Sequence, residues 1–123
     1  MSVFADDELV YLGERKLGRL ATIDPHGLPH VVPLGWTYNP ATDTIDVGGQ
    51  NFARTAKFRN VGQNPNVALV IDEILPPFRP RAVLIRGRGE ALDDAIGADG
   101  KPTGPIIRIT PTQVISWGLD DPS

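Results

Sequence analysis

The stretch LGRLATIDPHGLPHVVPLGWTYNPATDTIDVGGQNFARTAKFRNVGQNPN, residues 17–66, decides the fold. Residues 17–23 read as a strand, and Asp24-Pro25-His26-Gly27 supplies the fixed dihedral of proline followed by the permissive glycine of a tight turn. A partner strand over 28–38 completes a hairpin. Its Pro29 and Pro33 each remove a ladder donor, so they belong at an edge, at a bulge, or where something other than a strand lies alongside. Asn39-Pro40-Ala41-Thr42-Asp43 is the next turn, and Thr44-Ile45-Asp46-Val47 alternates before breaking at Gly48-Gly49. Residues 53–60 then read as a short basic helix, stopped by Asn64-Pro65. Three antiparallel strands followed by a cationic helix set a helix start beside a half-buried sheet, an arrangement suited to a phosphate-bearing cofactor.

Outward from this stretch the pattern stays mainly β. Asp6-Asp7-Glu8 ahead of Leu9, Val10 and Leu12 places carboxylates where a helix start is positively polarised, which predicts a short N-terminal helix ending near Gly13. Val67-Ala68-Leu69-Val70-Ile71 and residues 81–92 read as strands, separated by the proline-rich loop Leu75-Pro76-Pro77-Phe78-Arg79-Pro80. Residues 93–105, rich in Gly and Asp, read as a mobile loop, and residues 106–110 and 113–117 as a closing strand pair around Pro111. About seven strands with two helices, and few strand-helix alternations, predict an antiparallel barrel, whose closure removes exposed edges.

The length of 123 residues fits a single domain over 1–123 with one core. A net charge of −3 argues against nucleic acid as a partner, so any anion site is local. The absence of cysteine removes disulfides, thiolate metal sites and Cys nucleophiles, and fits a reducing compartment. The acidic start and the lack of a long apolar run predict a cytoplasmic protein with no membrane partner.

Arg54, Lys57 and Arg59, with Thr55 among them and Gln50 and Asn51 just before, offer cations, a hydroxyl, an amide and helix N–H groups to one phosphate; a solvated helix face has the same composition. Arg86 and Arg88 alternate on a strand with Gly87 and Gly89 on the opposite face, and the arginines serve either a ligand or a ladder with Glu90; Arg108 is of the same kind. His26 and His30 lack a ligand cluster, so no metal is expected. A Gly-x-Ser-x-Gly elbow, a Rossmann fingerprint and a P-loop are absent, and no catalytic residue can be assigned.

Three segments together, residues 20–36, Lys57-Phe58-Arg59-Asn60, and Asn64 to Val70, resemble the pyridoxamine 5'-phosphate oxidase-like split barrels, in their branch of flavin- and deazaflavin-dependent oxidoreductases. Residues 107–118 are similar to the closing strands of that branch. The resemblance implies a six- to seven-stranded antiparallel split β-barrel with two short helices, the FMN-binding split barrel. It implies a homodimer with sites at the subunit interface, a ring lying against residues 31–36 that include Val32, Pro33 and Leu34, a phosphate on Lys57, and Thr55 close to the same phosphate. Asn51, Arg54 and Arg59 complete the expected cofactor-binding set. True pyridoxamine 5'-phosphate oxidases carry an Arg at the position of Val32, a Lys near Thr37 and a longer C-terminal segment, whereas this sequence ends at Ser123; vitamin B6 oxidation is therefore not expected. The apolar Val-Val-Pro-Leu-Gly-Trp form resembles the branch that uses coenzyme F420, a deazaflavin whose long acidic tail suits a local basic stripe. The expected activity is hydride transfer to a small electron-poor substrate. The alternatives are an FMN-binding relative of pyridoxamine 5'-phosphate oxidase and a non-catalytic flavin- or haem-type carrier or sensor.

Overall fold

A computed structural model describes residues 2–119; Ser123 lies outside them. Helix α1 (Asp6–Gly13) is followed by β1 (Leu17–Ile23), β2 (Pro29–Gly35), β3 (Thr37–Asn39), β4 (Thr44–Gly48), α2 (Ala56–Gln63), β5 (Asn66–Leu75), β6 (Arg79–Leu92) and β7 (Ile106–Trp117), with a 3-10 turn at Phe52–Arg54 before α2. All strands join one antiparallel sheet in the order β2-β1-β5-β6-β7-β4-β3. The two ends of that order, β2 and β3, are consecutive in the chain and separated by Trp36 alone. A sheet whose opposite edges are joined by one residue has to roll up, and since no ladder pairs β2 with β3 or β4 among the described residues, the barrel stays split along that seam.

Alternation puts the apolar side chains inside. Leu20, Ile45, Val47, Leu69, Ile71, Val83, Ile85, Ile107 and Ile109 are fully buried, and each contributes roughly 1.5–3 kcal/mol relative to exposure. Helix α1 covers one end with Tyr11 and Leu12. Tyr11 lies under two guanidinium groups, with Arg15 at 3.8 Å and Arg81 at 5.1 Å from its ring centre, and both arginines pair with Glu73. The segment ahead of α1 is strapped to the β3–β4 turn by Asp43, which accepts from Ser2 Oγ at 2.7 Å, Tyr38 Oη at 2.6 Å and Val3 N–H at 2.8 Å. Burial by itself would raise the Asp43 carboxyl, but these donors outweigh it and hold the group below its ordinary range. Helix α2 covers the other end, where the buried Asn60 donates to Thr22 Oγ1 at 3.1 Å and Val61 packs beside Gly89.

Several expected boundaries move. The strand expected over 28–38 breaks at Trp36, because its two halves serve opposite edges of the sheet. The loop expected through Pro80 narrows to Pro76-Pro77-Phe78, since Arg79 and Pro80 already stand opposite Leu75 and Ile74. The expected closing pair around Pro111 is one strand. Pro111 sits opposite Gly87 beside a register shift, and the missing proline donor is absorbed there. The loop 93–105 is not loose: Gly97 N–H donates to Lys101 O, Thr103 N–H to Ala95 O, and Gly104 N–H to Asp94 Oδ1, all within 2.8–2.9 Å. No helix among the described residues is long and apolar enough to cross a membrane.

The bulge depends on a glycine, because a Cβ at Gly87 would overlap the Thr110 carbonyl oxygen. Gly87→Ala is therefore expected to lower the unfolding free energy by about 2–3 kcal/mol, read as a lower urea midpoint at unchanged slope. Gly62→Ala, in open space on α2, is expected to raise it by about 0.5–1 kcal/mol. Equal effects of the two substitutions would contradict the close approach of β6 and β7.

Candidate functional site

The start of α2 is set by Thr55, whose extended backbone (φ −79°, ψ 154°) ends the 3-10 turn and caps the helix. Its hydroxyl accepts from Phe58 N–H at 3.3 Å and donates to Phe52 O at 2.7 Å. The helix expected over 53–60 therefore begins later and runs further, to Gln63, and Arg54 lies outside it. Ala56 and Lys57 are the first two helical residues, so their N–H groups point out of the helix without intrahelical partners. The half-buried Lys57 side chain holds its ammonium 5.1 Å from the centre of the buried Phe52 ring, and Phe52 meets Phe58 edge to face. Two free N–H groups and a lysine steadied over an aromatic ring form a cradle of the kind a phosphate needs. Thr55, with its proton already donated, shapes this cradle from below.

The other predicted residues spread around it. Asn51 is exposed in a left-handed conformation (φ 52°), and its carbonyl accepts from Arg54 N–H. Arg54 and Arg59 are exposed, and Arg59 Nη1 donates to the Arg54 carbonyl at 2.6 Å. With about 100° per residue, Arg59 points some 200° around α2 from Lys57. The expected single basic stripe is thus two separate cationic faces.

On β2, Val32 and Leu34 face inward with His30, whereas Pro33 faces outward with Pro29 and Val31. The turn bond from Asp24 N–H to Leu28 O sets the alternation of the hairpin. Ile23–Pro29, Ala21–Val31 and Arg19–Pro33 are then the pairs that exchange no bond, so each proline nitrogen faces the free edge. Along that edge Val31 N–H is a lone donor between two prolines. Of the three places open to these prolines, an edge, a bulge or a non-strand neighbour, the structure gives the edge, which is poor at pairing with another strand but still able to hold the rim of a flat ligand.

A cavity of about 420 Å³ lies on the outer side of β4 beneath the 93–105 loop, lined by Thr37, Asp46, Gly48, Gly49, Thr103 and Ile106 among others. Its wall at Gly48 and Gly49 leads through Gln50 and Asn51 to the start of α2. Asp46 anchors the floor: Arg108 grips it in a fork with both contacts at 3.0 Å, and Thr44 and Asn39 also donate to it. Its carboxylate raises the Arg108 guanidinium above its ordinary value, against burial. Arg108 and Asn39 both reach the Ile96 carbonyl, which ties the loop to the sheet. Of the residues weighed for a ladder with Glu90 or a ligand, Arg86 bonds Gln113 at 3.2 Å, and Arg108 is taken by Asp46. Nothing local in the sequence announces this floor, since Asp46 and Arg108 meet only through the β4–β7 register. No group of three or more metal-ligating side chains occurs among the described residues.

Residues 5–118 match the family described as pyridoxamine 5'-phosphate oxidase. The chain is 37% identical over 121 residues to the 5a,11a-dehydrotetracycline/5a,11a-dehydrooxytetracycline reductase of Streptomyces rimosus, covering 95% of this chain and 84% of that protein. It is 40% identical over 55 residues, 42% of this chain and 40% of the other, to the F420H(2)-dependent biliverdin reductase of Mycobacterium tuberculosis. A solved structure of an F420 reductase superposes with a TM-score of 0.59 at 26% identity, covering 81% of this chain and 89% of that one.

Arg108→Ala leaves the buried Asp46 carboxylate with only Thr44 and Asn39. The expected loss of stability is about 3 kcal/mol, together with faster amide exchange at Gly97 and Thr103 than in the parent protein. Unchanged exchange at those two amides would show that the loop is held without the Arg108 fork.

Proposed function

Since this chain belongs to the pyridoxamine 5'-phosphate oxidase family, we propose that it is an oxidoreductase that binds a flavin-type cofactor, coenzyme F420, and reduces a small electron-poor substrate. The observation that carries the reading is the start of α2, where the Ala56 and Lys57 N–H groups and the Lys57 ammonium, held over the Phe52 ring, belong to the same first turn with no carboxylate bonded to any of them among the described residues. When bound, the reduced deazaflavin supplies a hydride for an activated double bond. The chain's own contribution is to fix and shield: Lys57 neutralises the cofactor phosphate, and the β2 edge, with Val31 N–H between two prolines, holds the ring rim. The apolar Val32 and Leu34 keep water from that side. The kinship with an F420H(2)-dependent reductase and a dehydrotetracycline reductase favours F420 over FMN and a conjugated substrate over a B6 vitamer. Val32 and Thr37, standing where true pyridoxamine 5'-phosphate oxidases have basic residues, favour the same choice.

The active form in this reading is a homodimer with its sites between subunits. The outer face of the sheet carries a row running Pro33, Arg19, Val70, Leu84, Ile115 across five strands, with Val31, Ala21 and Ala68 on one side and Ala82 and Trp117 on the other. Val31, Ile115 and Trp117 are 60%, 39% and 45% exposed in the single chain, and these apolar side chains, on either side of the Arg19–Asp72 ion pair, are the surface this face offers to a second copy.

Fluorescence titration with F420 and with FMN, at low and moderate salt, tests the cofactor. Tighter, salt-weakened binding of F420 is expected, and Lys57→Ala should weaken it at least ~10-fold, about 1.4 kcal/mol; an unchanged Kd in that variant removes Lys57 from the site. Ile115→Glu is expected to convert the dimer into folded monomers, read by light scattering, with loss of cofactor binding. A variant that stays dimeric would place the interface elsewhere.

A further inference from the structure

Helix α2 has a second polar face that the cofactor reading does not use. Ala56, Arg59, Asn60 and Gln63 follow the i, i+3, i+4, i+7 spacing of one helical stripe. That stripe faces the β1–β2 turn across a cleft of about 320 Å³, whose opposite wall is Asp24, Pro25 and His30. Asn60 is committed to Thr22 at the floor. Arg59 uses one Nη on the Arg54 carbonyl and pairs with no carboxylate among the described residues, which leaves the rest of its donor fork for the cleft. His30 occupies an inward position of β2, where its neighbours in the pattern are Val32 and Leu34, and its Nδ1 is buried without a hydrogen-bond partner among the described residues. An apolar side chain would serve packing better at that position, because an unpartnered buried ring nitrogen is costly.

The charge balance selects the ligand. The backbone N–H of Leu28 holds the Asp24 carboxyl below its ordinary range, against slight desolvation, and the His26 N–H adds to it; both N–H groups bond the same Oδ1. The cleft therefore sets one guanidinium opposite one fixed negative charge, with His30 and Gln63 as neighbours. A dianion would meet the Asp24 carboxylate with a single cation to offset it, whereas a single carboxylate finds in Arg59 a planar fork of matching geometry.

We propose that this cleft is a second anion subsite that takes one carboxylate group, through Arg59 and His30, on the face of α2 turned away from Lys57. The carboxylate class stands on the cleft alone. That the group is carried by the cofactor held at Lys57, beyond its phosphate, rests on the preceding reading; a helix with its side chains is about 10–12 Å across, so only a cofactor with an extended acidic tail spans both faces.

The direct test follows the imidazole NMR signals of His30 and His26 during titration with glutarate and, separately, inorganic phosphate. Glutarate is expected to shift His30 saturably, to leave His26 unmoved in its exposed turn, and to have no effect in the folded Arg59→Gln variant. No shift at His30, the same shift in Arg59→Gln, or phosphate binding as tightly as glutarate would overturn the assignment. The source is read separately, from the Kd of the deazaflavin coenzyme with and without its acidic tail. Arg59→Gln should weaken the tailed form about 10-fold and leave the tail-less form unchanged, whereas equal effects on both overturn the cofactor-borne origin and leave a free carboxylate as the occupant. Failure of Lys57→Ala to weaken either form would remove the cofactor reading, while the glutarate result stands independently of it.

Discussion

The single residue Trp36 between β2 and β3 is the constraint on which this architecture rests. Because those strands form opposite edges of one sheet, a one-residue link obliges the sheet to roll, and the buried face of every other strand follows. The corner is packed as well as covalent. The Trp36 ring lies where a Cβ on Gly18 would be 3.3 Å away, so the glycine of β1 makes room for the turn of the chain. Nine fully buried aliphatic side chains then fill the interior, and the seam stays open because β2 turns its prolines outward.

The open seam and the two helices divide the labour between stability and binding. Helix α1 closes one end through a charged cluster around Tyr11 and is held at its start by Asp43. Helix α2 closes the other end with only Asn60 and Val61 deeply buried, so most of its surface remains available. Its first turn offers unbonded N–H groups and Lys57 on one side, and Arg59 on the other. A short helix that caps a barrel lightly can present two polar faces to ligands, whereas one buried all round could not.

Much of the fold was legible in local chemistry. The Asp24-Pro25-His26-Gly27 turn and the strand at Thr44 to Val47 are each decided within a few residues and stand in the structure, although all four of those strand residues are buried; for Pro29 and Pro33 the sequence left an edge, a bulge or a non-strand neighbour open, and the sheet order selects the edge. The errors in the strands are of one kind. The break at Trp36 and the continuity through Pro111 depend on which strands lie alongside, and the two misreadings offset each other in the strand count. Pro80 is tolerated in a strand for the same reason. The hydrogen-bonded order of the 93–105 loop arises partly from Arg108 and Asn39, residues outside it in sequence that reach the Ile96 carbonyl.

By itself, then, the sequence determined a mainly β fold, the kinds of turn that shape it, and the cationic character of the segment around Lys57, because turn dihedrals, alternation and charge are properties of neighbouring residues. Only the tertiary structure decided that Lys57 and Arg59 serve different faces, that Asp46 and Arg108 build a cavity floor, and that His30 looks into a cleft with Arg59. Those relations depend on the start of α2 at Ala56 and on the register between strands far apart in the chain, and a one-residue change in either would turn each of these side chains to another face.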